Sequence, residues 1–125
     1  MIYDDPAAKQ RLEAILHPRV RCVWQAEAAA ARASGRHLLV DIPLLFETGA
    51  GAEFDAVITV ACSAEIQAKR LAARGLEAGM AEKILRTQMP VPEKIALSDR
   101  VVWNDGSVSA LQAQAQIFAA SLDGA

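Results

Sequence analysis

Arg70 and Arg74 are the strongest chemical signal in a chain that otherwise holds few reactive side chains. They lie four apart in a stretch with helical character, so they share one face of a helix. Two guanidiniums on one face repel each other unless an anion such as a phosphate lies between them, and each offers a forked set of donors suited to that anion. The same pair is compatible with two solvent-facing ion pairs to acids nearby, such as Glu65 or Glu77. Asp41 closes an apolar run ahead of Pro43. Ligands of open parallel sheets gather at the carboxyl ends of strands, although an aspartate there also serves to cap the next turn. His17, just before Pro18, is placed either to touch a substrate or to donate to a helix-end carbonyl. Asn104-Asp105-Gly106 has the composition of a turn. No glycine is followed by lysine, so these residues hold no GxxxxGK[ST] phosphate loop, and no Ser-His-Asp set or metal-ligand spacing appears.

Several elements are needed to position these residues. Asp5 is suited to cap a first helix with Pro6 in its opening turn, and Leu12, Ile15 and Leu16 give it an apolar stripe. His17-Pro18 is expected to break that helix, because proline disfavours helical geometry in the residue before it. A second helix then runs from Pro18 through Val20, Val23 and Trp24 to Ser34, with Gly35 as its stop. Three apolar runs read as buried parallel strands: Leu38 to Ile42, Ala56 to Ala61, and Val101 to Trp103. Helices separate them, one from Ala64 to Arg74 between Ser63 and Gly75, and one from Ala81 to Gln88 ended by Pro90. Ser107 caps a last helix whose stripe is Val108, Leu111, Ala115, Phe118 and Leu122. Strands alternating with helices imply an α/β fold built from parallel units.

Composition fits that class. The 125 residues suit one domain with a core, and 53% are hydrophobic but only 5% aromatic, which favours a helix-rich α/β protein over a sandwich or barrel. A net charge of −2 provides no basic field for nucleic acid or an anionic membrane. The longest apolar stretch, Leu38 to Phe46, is interrupted by Asp41 and Pro43 and does not span a bilayer. Cys22 and Cys62 are expected as buried thiols, and the opening residues lack the pattern of a signal peptide, so a cytoplasmic location is expected.

Taken in order, several stretches closely resemble dephospho-coenzyme A kinase. They are Asp5 to Lys9 with Leu12 to Pro18; Asp41-Ile42-Pro43-Leu44-Leu45-Phe46-Glu47; Gln67 to Leu71 with Arg74; Ile84 to Pro90; and Glu93-Lys94 through Asp99 to Asn104-Asp105-Gly106. The resemblance implies a partial P-loop kinase fold: three parallel strands, flanking helices and a helical lid. It implies a single partial domain with substrate-side helices over 1–35, a nucleotide-domain core over 36–63 and 99–125, and a lid region over 64–98. The implied reaction moves the γ-phosphoryl group of ATP to the 3′-hydroxyl of dephospho-coenzyme A, with Mg2+ in the complete enzyme. His17, Asp41, Pro43, Leu44 and Leu45 would line the acceptor side. Arg70 and Arg74 would neutralise ATP phosphates, stabilising the charge of the transition state. Asn104 and Gly106 would sit by the adenine.

The same resemblance implies that a Gly-rich loop and its strand belong in mid-sheet, between the strands ending at Asp41 and near Ala61. The chain is therefore expected to be the C-terminal part of such a kinase, inactive alone, and prone to self-association through unpaired strand edges. Two rival readings are another small P-loop kinase and a non-catalytic assembly module. Lys83 stands where the family usually has arginine, Gly75 where an acid often follows the lid arginine, and Ser98 where alanine is usual.

Overall fold

The computed structural model describes residues 5–122 in two units, one ending at Pro43 and the other beginning at Leu44. The first unit is dominated by one long helix, α1 (Pro6–Ala33). The Asp5 carboxylate accepts the Ala8 amide at 2.9 Å, satisfying one of the orphan donors at the helix start. The expected break at His17-Pro18 does not occur, and Pro18 lies inside the helix. A proline there removes one backbone hydrogen bond, but the helix is already formed and continuing it costs no new nucleation. Trp24 and Ala31, both buried beyond the proline and seven residues apart, lie on one face of the continuing helix.

The helix ends as expected at Gly35, whose φ of 63° lets the Arg36 amide turn back to the Ala31 carbonyl at 2.9 Å. Beyond it the expected strand over Leu38 to Ile42 is not formed. A strand is defined by its neighbour, and among the described residues this segment has no ladder partner to take its N–H and C=O groups. The three expected strands are therefore two. Cys22 is also exposed rather than buried, and Cys62 is half-buried.

The second unit opens with a helical turn in which the Thr48 amide and hydroxyl both donate to the Leu44 carbonyl, at 3.1 and 2.8 Å. A 3₁₀ turn (Ala50–Glu53) leads to β1 (Ile58–Ala61). Then follow α2 (Ala64–Ala73), α3 (Ala78–Arg86), α4 (Val91–Ala96), β2 (Arg100–Trp103) and α5 (Val108–Leu122). The two strands pair in parallel, Ile58 opposite Arg100 and Ala61 opposite Trp103, and the three intervening helices form the crossover such a pairing requires. Val57, Thr59 and Ala61 are buried, while Val60 is 64% exposed. The strand thus turns alternate residues toward and away from the interior. On the far side of β2, the Gln114 side chain of α5 both accepts the Trp103 amide and donates to its carbonyl, each at 2.9 Å.

Thr59 is a buried polar residue of this core. Its hydroxyl lies 2.5 Å from the Ser98 hydroxyl, which donates to the Lys94 carbonyl at 2.7 Å. That arrangement gives a reason for serine at 98: its hydroxyl helps to satisfy a threonine taken out of water.

α2 stops at Gly75 in the same manner as α1 at Gly35. With φ at 76°, Gly75 donates to the Ala72 carbonyl at 2.9 Å and the next amide, Leu76, reaches Leu71 at 3.2 Å. A methyl group added at Gly75 would meet nothing within 4 Å. Gly75→Ala should therefore cost about 1 kcal/mol, all of it from the left-handed backbone. A urea melt checks this, and unchanged stability would show that the chain relaxes out of that conformation.

Candidate functional site

β1 and β2 end side by side at Ala61 and Trp103, and the loops leaving them are stitched together by side chains. The Asn104 amide continues the ladder to the Ala61 carbonyl at 2.7 Å. The Asp105 carboxylate accepts the Ser63 amide, also at 2.7 Å. Ser63 in turn caps α2 by accepting the Ile66 amide at 3.4 Å. Asp105 thus fixes the residue from which α2 starts. The Ser63 amide holds the Asp105 carboxyl below its ordinary range against the opposing effect of burial, with help from the Ser63 and Trp103 side chains and the Arg70 charge.

α2 carries Arg70 in its last turn and Arg74 at its C-cap. The Arg70 guanidinium donates from Nη2 to Oδ1 of Asn104 at 3.3 Å, across the mouth of the two strands. Glu65 does not serve as its counter-ion, because that carboxylate takes Lys69 at 2.7 Å. The Arg70 hydrogen bond runs instead to Asn104, and Glu65 pairs with Lys69. A guanidinium beside an amide oxygen at the carboxyl end of a parallel pair is suited to an anionic ligand.

Leu44 and Leu45 sit half-buried in the helical turn that opens the second unit. Glu47 of that turn accepts the Met89 amide at 2.6 Å and the Lys94 ammonium at 3.1 Å, both on Oε1. Burial raises the Glu47 carboxyl, but those donors and its own backbone amide outweigh it and leave it below the ordinary range. A cavity of about 250 Å³ opens nearby, with Thr59, Gln67, Gln88 and Lys94 in its wall.

Among the residues expected in the site, Arg70 and Asn104 are brought into contact, with Arg74 at the end of the same helix and Gly106 in the same loop. Leu44 and Leu45 belong to the same unit. His17, exposed in mid-α1, and Asp41 and Pro43, both exposed, belong to the first unit. Ser63 caps α2 as its place in the sequence implies, while the hydrogen bond from its amide to Asp105 and the roles of Glu47 and Lys94 are pairings that no sequence spacing indicates. Glu47, Lys94 and Asp105 do fall within the Asp41–Glu47, Glu93–Lys94 and Asn104–Gly106 stretches.

Known proteins resemble this chain along most of its length. The family model described as dephospho-CoA kinase matches residues 1–110. A dephospho-CoA kinase of Anaeromyxobacter dehalogenans is 42% identical over 125 residues, covering 98% of this chain and 59% of its own length. That of Agrobacterium fabrum is 45% identical over 112 residues, 88% of this chain and 58% of its own. The chain thus spans less than two thirds of the length of these relatives. Among solved structures, a Thermus thermophilus protein superposes with a TM-score of 0.73 at 31% identity, over 97% of this chain and 63% of that one. The dephospho-CoA kinase from Campylobacter jejuni gives 0.67 at 22% identity, over 97% and 61%, a likeness of fold.

The lowered Asp105 carboxyl has a consequence for pH. A group whose folded pKa lies below its unfolded value stabilises the fold above the unfolded pKa, and that contribution is lost as pH falls through the folded one. Protonation should therefore loosen the start of α2 only below the ordinary aspartate range. An NMR titration of the Ser63 amide should show its midpoint there, and Asp105→Asn should abolish the transition. A midpoint at the ordinary aspartate value would contradict the assigned hydrogen bond.

Proposed function

The chain belongs to the dephospho-CoA kinase family, and from that premise we propose that it serves transfer of the ATP γ-phosphoryl group to the 3′-hydroxyl of dephospho-coenzyme A. The observation that best supports this reading is the placement of Arg70 on Asn104 at the carboxyl ends of β1 and β2. Phosphoryl transfer asks little covalent chemistry of a protein and much electrostatics: charge spreads over the transferred group and must be met by fixed cations. Arg70 and Arg74, on a helix whose start is fixed by Asp105, supply such cations. Asn104 and Gly106, beside them, would meet the adenine, where backbone groups read its edge. Leu44 and Leu45 would face the acceptor, and the family resemblance assigns His17, Asp41 and Pro43 to acceptor binding too. In this reading residues 1–35, with the single helix α1, are the substrate-side region, 36–63 with 99–125 the nucleotide core, and 64–98 the lid region.

Metal chemistry is not assigned to residues of this chain. Among the described residues no group of three or more His, Cys, Asp or Glu is placed to hold an ion. Mg2+ in kinases is held largely through phosphate oxygens and water, with one or two carboxylates, rather than by a dedicated cage.

Two outcomes test the reading. In a form extended to the full length of its relatives, Arg70→Ala or Arg74→Ala should lower turnover of dephospho-coenzyme A about 10²-fold, the scale for losing one preorganised donor to a transition-state anion. Lysine should restore part of this, since it keeps the charge and loses the fork. Stability should move by no more than about 1 kcal/mol. Near-normal turnover in both variants would return these arginines to the solvated surface. The 125 residues by themselves contain no Gly-Lys step to grip the β- and γ-phosphates, so this polypeptide alone should not phosphorylate dephospho-coenzyme A. Transfer from labelled ATP by the pure 125-residue chain would refute that expectation.

A further inference from the structure

The Glu47 carboxylate links two segments that lie far apart in sequence. One of its oxygens, Oε1, takes the Met89 amide at 2.6 Å and the Lys94 ammonium at 3.1 Å, across 42 residues to Met89. The Glu47 and Lys94 side chains are only 19% and 14% exposed, so this ion pair is shielded from the solvent that makes surface pairs nearly worthless. Lys94 is itself anchored. Its ammonium also donates to the Gln88 amide oxygen at 3.4 Å, and its carbonyl accepts the Ser98 hydroxyl, which reaches Thr59 of β1. An unbroken series of polar contacts therefore runs from Glu47 through α4 to the strand pair.

At the other end the series terminates in the turn bearing Leu44 and Leu45. That turn is closed on itself: the Thr48 hydroxyl donates to the Leu44 carbonyl at 2.8 Å, and the Ala50 amide to the Leu45 carbonyl at 3.1 Å. Gly49, with φ at 68°, makes the reversal possible. A turn locked in this way moves as one piece, so holding Glu47 holds Leu44 and Leu45. Met89 lies just beyond α3, at the turn where residues 87–90 lead into α4.

We propose that Glu47 is a positioning residue of the phosphoryl-transfer reaction, setting the acceptor-side turn of Leu44 and Leu45 against the segment through which the lid region rejoins the core. This rests on the acceptor-side reading of those leucines given under Proposed function. Glu47 touches no reacting atom in this scheme. Its effect passes through the turn, where a displacement of about 1 Å is enough to cost a reaction 10²-fold.

Three substitutions separate the contacts. Glu47→Gln keeps an oxygen for the Met89 amide and loses the ion pair. Lys94→Met loses the ion pair from the other side, and Glu47→Ala loses both contacts. Hydrogen exchange on the 125-residue chain should show faster exchange at Met89 and across residues 44–50 in Glu47→Ala, with the β1 and β2 amides unchanged. In the form extended to the relatives' full length, Glu47→Ala should raise KM for dephospho-coenzyme A about tenfold while KM for ATP stays within about twofold. Glu47→Gln and Lys94→Met should fall between wild type and Glu47→Ala. A brace that serves stability alone would lower the melting temperature and leave both KM values unchanged, and that result overturns the proposal. Exchange at residues 44–50 that ignores Glu47→Ala overturns it too. A wild-type extended form inert toward dephospho-coenzyme A refutes the acceptor reading instead, and the exchange result still decides whether Glu47 holds the turn.

Discussion

Parallel pairing of Ile58–Ala61 with Arg100–Trp103 brings together segments 42 residues apart, and two short strands do not stand by themselves in water. Their backbone groups need closure at both ends and along the outer edge. At the start, the Asp99 carboxylate accepts the Val57 amide at 2.7 Å, while the Asp99 and Arg100 amides both reach the Val57 carbonyl. At the finish, Asn104 continues the ladder and Asp105 takes the Ser63 amide. Gln114 occupies both backbone groups of Trp103 and so removes them from the free edge of β2. One carboxylate at each end and one amide beside Trp103 thus take up backbone groups at the limits of the strand pair. The same closures place the site, because the residue Asp105 grips is the one from which the arginine-bearing helix starts.

Local signals in the sequence were reliable where one or two residues decide the outcome. Asp5, Ser63 and Ser107 cap helices as their side-chain chemistry dictates, the last by accepting the Ala110 amide at 3.2 Å. Gly35 and Gly75 stop helices because a left-handed residue there costs glycine nothing. Where the outcome depends on a competition between terms, the sequence was less informative. At Pro18 one lost hydrogen bond is set against a long run of helix formers and two buried residues, and the helix continues. At Leu38 to Ile42 the apolar run has strand composition, but strand formation depends on a neighbour that composition does not reveal. The short α4 was missed altogether, since Val91 to Ala96 is too brief to show a period.

For the site, the sequence revealed residue types and left the pairings hidden. Arg70 and Asn104 are 34 residues apart, and no spacing rule predicts that the acceptor for this guanidinium is an amide oxygen rather than Glu65, four residues from a competing lysine. The i,i+4 rule did apply there, and it gave Glu65 to Lys69. Glu47 was legible only as the last letter of a familiar stretch. Its two donors come from a turn and a short helix that themselves depend on the β1–β2 crossover, so its role emerges only once the chain is folded.

The two long-range polar contacts around this site differ in a way that suits their proposed work. The Glu47 link joins a carboxylate to a short backbone donor and an ammonium, with both side chains largely shielded. Charge-assisted bonds of that sort are roughly twice as strong as neutral ones, and breaking one strands a partly buried charge. The Arg70 link is a single exposed bond of 3.3 Å to a neutral amide oxygen. Its donor is charged as well, but the bond is long, single and open to water, so water replaces it readily. A phosphate offered to the same guanidinium competes with an advantage, because it brings its own charge and a two-pronged acceptor geometry. On the proposed function the strong link would stay made while the weak one is exchanged. Both links carry a charged group; what separates them is distance, solvent exposure and the number of partners.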